Sequence, residues 1–271
     1  MRIFFAGDST AQYNDASTFP QSGIAQQLET FFNPAQINDD SFETLDFINK
    51  KVELINMARN GRSTKSFIAE KRLTYIEKNI NAGDFLFVMF GHNDEKLHDP
   101  KRGTLPFDEF QKNLFAFAQV AFNASAFPLF ITPVARRKFE IDKKSGHKIA
   151  VETHGEYPFA MKECAQKLNI PCIDLSELSR NKLTHIGEEK SRALYMNFDS
   201  NIYDIYPDGK DDNTHLTGHG AYTFAKIIAS EIRKLTTWKN SSYSANIAYA
   251  QLAQAVCISH TIDYTECTNA D

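Results

Sequence analysis

The chain has little of several things that would narrow its function at once. Four cysteines in 271 residues, Cys164, Cys172, Cys257 and Cys267, are too few to staple a chain of this length, which excludes a disulfide scaffold. Reduced thiols are expected, with Cys257 and Cys267 the pair to examine for a bridge. The formal net charge is only −4, from 30 basic and 34 acidic residues, and no Lys/Arg block stands out. That balance argues against the basic surface that nucleic acids require. The longest apolar stretch, residues 85–90, falls far short of the ~20 residues that span a bilayer. No secretory leader is visible, because Met1-Arg2 runs straight into an apolar strand pattern. A cytoplasmic location is therefore expected, or a secreted or periplasmic one if a leader has been removed. Internal repeats and low-complexity tracts are missing. So is a G-x-S-x-G elbow, which removes the ordinary α/β-hydrolase layout.

What remains is a globular composition rich in aromatics, 22 Phe and 10 Tyr, in a chain long enough to bury a sizeable core. Short apolar runs mark strands at residues 3–6, 52–57, 84–91, 127–132 and 171–174. Helical spacing of apolar residues marks helices at 23–32, 66–80, 107–122, 157–168 and 218–235. Strands that alternate with helices build βαβ units, and so an α/β fold with a parallel sheet covered on both faces. Ligands of such sheets bind beyond the carboxyl ends of the strands. Four polar loops follow strands here, at 7–10, 58–63, 91–94 and 133–137, and together they are expected to form one rim. Residues 1–238 read as one domain. Residues 239–271 read as a C-terminal extension, with a helical pattern at 244–256, packed on the domain or at an interface.

Three chemistries compete for the polar loops. In a serine hydrolase, Ser9 needs a base, and the base needs a third group to hold its tautomer. His215 in "DDNTHLTGHGA" can be the base. Asp212, three residues earlier at the mouth of the last helix, can reach an imidazole nitrogen within one turn. The Gly61 N–H and the Asn93 amide can join the Ser9 N–H as oxyanion donors. In a metal phosphoesterase, Gly91-His92-Asn93-Asp94 and the i,i+4 pair His215 and His219 can hold ions. However, Asn and His are transposed there, no D-x-H opens the first strand, and Leu216 stands where H-E-x-x-H needs its Glu. In the third case each element is structural. Ser9 then caps a helix, Gly61 serves a turn, and Asp212 and Asn213 cap the last helix.

Taken jointly, Gly7-Asp8-Ser9-Thr10, Asn60-Gly61-Arg62-Ser63, Gly91-His92-Asn93-Asp94 and Asp212-Asn213-Thr214-His215 resemble the four blocks of the SGNH (GDSL-type) hydrolases. Within that superfamily, "GRSTKSF", "FGHNDEK", "TPVARRKF" and "DNTHLTGHGA" are most similar to rhamnogalacturonan acetylesterases. The resemblance implies a three-layer α/β/α fold around a flavodoxin-like parallel sheet. It implies a catalytic Ser9, His215 and Asp212, an oxyanion hole from Ser9, Gly61 and Asn93, and no metal or other cofactor. It also implies a serine esterase that removes acetyl groups from a pectic carbohydrate; a monomer or homodimer is expected, without nucleic-acid or membrane partners. An acetylxylan esterase or an esterase of another acetylated glycan is the nearest rival, and a carbohydrate-binding protein without catalysis is the non-enzyme alternative. Gly23-Ile24-Ala25 departs from the Gly-Trp-Gly expected of the family at that place. Arg136 and Arg137, after the fourth strand, are expected to grip a galacturonate carboxylate, since guanidinium forks suit carboxylates. His92, His154 and His219 are candidates to line the cleft.

Overall fold

The computed structural model describes residues 1–32 and 52–257. Its centre is a five-stranded, fully parallel sheet built from β1 (Arg2–Gly7), β2 (Glu53–Asn56), β3 (Phe85–Met89), β4 (Phe127–Ile131) and a short fifth strand, β7 (Cys172–Ile173). The spatial order is β2-β1-β3-β4-β7, which is the 2-1-3-4-5 winding of flavodoxin-like sheets. The winding reverses between β1 and β3, so a ligand crevice is expected where those two strands end.

Alternation along the strands divides the core in two. Ile3 and Phe5 of β1, with Phe85, Phe87 and Met89 of β3, face α1 (Ile24–Leu28), α6 (Leu175–Ile186), α7 (Gly218–Lys234) and α8 (Tyr243–Gln254). Phe4 and Ala6, with Leu86 and Val88, face α2 (Thr64–Ala69), α3 (Arg72–Asn79), α4 (Gln111–Asn123) and α5 (Tyr157–Leu168). Every residue of β3 is buried, as both faces of a covered parallel strand must be. This is the three-layer α/β/α arrangement.

Several expected elements change shape. The single helix expected at 66–80 is two helices, because Lys71 adopts a left-handed φ of 60° between them. Glu70 bridges the break, pairing with Arg62 and Arg72, each at 3.0 Å. Two antiparallel hairpins lie outside the sheet. One joins β5 (Phe139–Ile141) to β6 (Lys148–Ala150), and the other joins β8 (Tyr195–Phe198) to β9 (Lys210–Leu216). Helix α6 lies outside the helices expected from apolar spacing, and Asp174 caps it by accepting from Glu177 N at 3.2 Å.

Helix α8, in the segment beyond residue 238, packs against the domain. Tyr249 is buried among Phe85, Phe127 and Trp238 and donates its hydroxyl to Pro128 O. Cys257 N donates to Phe31 O at 2.8 Å. Cys164, Cys172 and Cys257 are free thiols, and Cys267, the proposed partner of Cys257, lies outside the described residues.

Gly23 sits where two backbones nearly touch. A Cβ there would fall 2.0 Å from Gln12 O and 2.5 Å from Ala11 C, in the turn that follows Ser9. Backbone atoms cannot yield as a flexible side chain can. Gly23→Ala is therefore expected to cost at least about 2 kcal/mol, the scale of an overpacked core. Urea unfolding of the variant against the parent checks this, and an unchanged midpoint would refute it.

Candidate active site

The sheet brings its polar loops together at the β1/β3 reversal. After β1 the chain turns sharply. Asp8 Oδ1 accepts from Thr10 N at 2.9 Å and Thr10 Oγ1 at 2.8 Å, an Asx turn that holds Ser9 at its apex. The second loop docks beside it, with Arg59 N donating to Gly7 O at 3.1 Å and Asn56 Nδ2 to Ala11 O at 2.8 Å. Gly61 has φ +76°, a conformation that glycine adopts without strain. After β3, Asn93 reaches back to this loop and donates Nδ2 to Arg62 O at 3.0 Å.

The fourth block arrives on a strand, which corrects the expected placement at the mouth of the last helix. Asp212 and His215 lie on β9, and Thr217 is the residue that caps α7, accepting from Gly220 N at 3.1 Å. Pairing along the hairpin jumps from Tyr195↔Leu216 to Asn197↔Asp211. Residues 212–215 therefore bulge out of the ladder, and bulges re-aim side chains. Within the bulge Asp212 Oδ1 accepts from Thr214 N and His215 N, each at 2.9 Å. Asp212 Oδ2 lies 2.7 Å from His215 Nδ1, and His215 Nε2 lies 3.0 Å from Ser9 Oγ.

Burial alone would raise the Asp212 carboxyl. The bonds from the His215 ring, the His215 amide and the Thr214 amide outweigh it and hold the group at about 2. Asp212 is thus an anion at any pH well above that value. An anion at Nδ1 keeps the proton there and leaves Nε2 free to accept from a hydroxyl. Among the described residues neither the Ser9 N–H nor the Gly61 N–H has a protein acceptor. The arrangement can therefore deprotonate a serine and offer N–H donors to a developing oxyanion.

The candidate substrate residues lie differently. Arg136 pairs with Glu95 and donates to Thr153 O at 3.1 Å, with His154 Nδ1 at 3.2 Å. Arg137 donates to Glu188 O at 2.6 Å and Asn213 Oδ1 at 3.1 Å, and its amide holds Asn213 O at 2.9 Å. Both guanidinium groups are engaged with protein partners, and Arg137 grips β9 one residue from Asp212. His92 and His154 are buried below the rim, 4% and 1% exposed, with ring centroids 4.4 Å apart. His92 Nδ1 lies 3.5 Å from Asp8 Oδ2. Burial, together with the neighbouring His154, pushes the His92 imidazole down to about 4, so it is neutral near neutral pH. His154 sets Nδ1 against Glu95 Oε2 at 3.0 Å and Nε2 against Val134 O at 2.9 Å. His219 is on α7 and exposed.

Sequence reasoning passed over Asp94, which joins the second and third loops. It accepts from Thr64 N at 3.1 Å, Thr64 Oγ1 at 2.5 Å and Thr104 Oγ1 at 3.0 Å, and burial raises it to about 7 despite those bonds. The only local signal was its place directly after Asn93.

Residues 3–228 match the sequence model of the GDSL-like Lipase/Acylhydrolase family. The chain belongs to that family. It is similar to the rhamnogalacturonan acetylesterase RhgT of Bacillus subtilis, 37% identical over 235 residues, covering 87% of this chain and 90% of RhgT. It is also similar to a rhamnogalacturonan acetylesterase of Emericella nidulans, 34% identical over 196 residues, covering 67% and 74% of the two chains. Solved structures share the fold. The Bacillus subtilis protein YxiM superposes with a TM-score of 0.67 at 22% identity, over 87% of this chain and 57% of that one. An acetylxylan esterase of Geobacillus stearothermophilus gives 0.54 at 14% identity, over 85% and 93%. As a family member the chain is a hydrolase of carboxylic esters.

Proposed function

We propose that this acylhydrolase is a serine esterase that removes O-acetyl groups from rhamnogalacturonan-type pectic carbohydrate. The single observation that carries the catalytic half is the relay from Ser9 Oγ to His215 Nε2 at 3.0 Å and from His215 Nδ1 to Asp212 Oδ2 at 2.7 Å. The identity to two named rhamnogalacturonan acetylesterases supports the substrate.

In this reading His215 takes the Ser9 proton as Ser9 Oγ attacks the acetyl carbonyl carbon. The carbonyl oxygen becomes an oxyanion held by the Ser9 and Gly61 N–H groups and the Asn93 amide. The tetrahedral intermediate collapses, the sugar oxygen leaves with the proton from His215, and Ser9 carries the acetyl group. Water, deprotonated by His215, then attacks acetyl-Ser9, and acetate departs as the proton returns to Ser9 Oγ. Arg136 and Arg137 serve as supports of the site, each guanidinium being engaged with protein partners. Arg136 steadies the Glu95 loop, and Arg137 steadies the strand that carries Asp212.

Acetate release measured across acetylated rhamnogalacturonan fragments, acetylated xylan and p-nitrophenyl acetate tests the substrate. The highest kcat/KM is expected on the rhamnogalacturonan fragments. Equal or higher values on xylan would overturn the pectic assignment while leaving the esterase intact.

A further inference from the structure

The turn after β3 sets a cation against the amide oxygen of Asn93. Lys96 lies three residues on, and its amide donates to Asn93 O at 3.2 Å. Lys96 Nζ donates to Asn93 Oδ1 at 2.9 Å, and one guanidinium nitrogen of Arg102 reaches the same oxygen at 3.4 Å. On the other side Asn93 Nδ2 donates to Arg62 O at 3.0 Å. Ammonium and guanidinium groups only donate, and a carbonyl only accepts. These partners therefore fix which end of the amide is oxygen and which is nitrogen. One Asn93 N–H is spent on Arg62, and the other has no protein acceptor among the described residues. Arg102 is committed to Asp99 as well, at 2.6 Å, whereas Lys96 makes no ion pair among the described residues.

We propose that Lys96 is a positioning residue for ester hydrolysis, holding and polarising the Asn93 amide so that its free N–H meets the transition-state oxyanion as a stronger donor. The inference rests on the reading of Asn93 as an oxyanion donor. A positive charge on the amide oxygen draws electron density away from nitrogen, which makes the remaining N–H more acidic. Hydrogen bonds in series strengthen one another in this way, and those to charged groups are the stronger kind. The arrangement exists before substrate binds, so no reorganisation is needed as the oxyanion forms. Its benefit falls on the transition state, whose oxygen carries more charge than the ester carbonyl, and so appears in kcat rather than KM.

The test is a double-mutant cycle with p-nitrophenyl acetate as substrate. Lys96→Met is expected to lower kcat about tenfold with KM changed less than about twofold, a fraction of what loss of a hole donor costs. Lys96→Arg, which keeps the charge, is expected to recover most of that loss. Asn93→Ala alone is expected to lower kcat by about 10²- to 10³-fold. Adding Lys96→Met to Asn93→Ala is then expected to change kcat less than about twofold, since the group it acts through is gone. If Lys96→Met does not fold, Lys96→Gln, which keeps a hydrogen-bond donor without the charge, carries the same comparison. Wild-type kcat in the Lys96 variant, no recovery in Lys96→Arg, or an equal loss with and without Asn93 overturns the proposal. Full activity in Asn93→Ala instead overturns the oxyanion assignment itself, so the two failures are told apart.

Discussion

Ser9→Ala is expected to lower the hydrolysis of p-nitrophenyl acetate roughly 10⁶-fold, the scale seen when a serine nucleophile is removed from a triad. The size follows from what the hydroxyl does. Without Oγ no acyl-enzyme forms, and neither His215 nor the oxyanion donors can replace a covalent step. The side chain sits at the apex of a turn held by Asp8 and Thr10, and among the described residues its one side-chain partner is His215 Nε2. Removing the hydroxyl breaks that single bond and leaves the turn intact, so the thermal midpoint should move by no more than a few degrees. Residual activity above 1% of the parent in a folded variant would sink Ser9 as nucleophile, with 1% chosen as about two of the six expected decades.

Asp212→Asn is expected to cost roughly 10⁴-fold, less than the loss of Ser9. Asn can keep its oxygen on the Thr214 and His215 amides, where Asp212 Oδ1 accepts now. Its NH₂ then faces His215 Nδ1 in place of Oδ2. A donor at Nδ1 forces that nitrogen to accept, so the ring proton moves to Nε2, the atom that must take the Ser9 proton. Geometry survives while the tautomer is wrong. The parent carboxyl is held at about 2, which places its folded value below the ordinary carboxylate one. Stability from this depressed carboxyl is therefore complete above about pH 4 and is lost only as pH falls toward 2. Its titration does not limit the rate near neutrality. The check is kcat on p-nitrophenyl acetate with the fold verified by circular dichroism. A loss under about tenfold, or one equal to that of Ser9→Ala, would remove Asp212 from the orienting role.

Some of this was legible residue by residue. The run at 84–91 is apolar throughout because both of its faces are covered, and local composition records that. The turns after β1 and β3 carry polar side chains, Asp8, Ser9, Thr10, Asn93 and Asp94 among them, although these are buried, because a turn at a strand end favours residues that hydrogen-bond locally. Strand β9 was not legible. Lys210-Asp211-Asp212-Asn213-Thr214-His215 has no apolar alternation, since it pairs with one partner outside the main sheet and bulges. Only the pairing with β8 makes it a strand. Asp212 and Asn213 looked like helix caps for the same reason, the residue types of caps and bulged strands being alike. Likewise the break at Lys71 is a backbone event in a segment whose helical spacing continues through it.

The sequence by itself determined the chemistry available: a serine, a glycine and an asparagine, each in a loop after an apolar strand pattern, and an Asp-x-x-His before the last helix. Local periodicity and turn preference act over a few residues, and those features are local. Which partners met was decided only by tertiary structure. Ser9 and His215 lie 206 residues apart, Arg136 and Glu95 lie 41 apart, and Arg137 and Glu188 lie 51 apart. Side chains of this reach find any acceptor within several ångströms, and only packing says which one is near. Packing thus set Arg136 on Glu95 and Arg137 on Glu188 and Asn213, buried His92 and His154, and set Lys96 on the amide of Asn93.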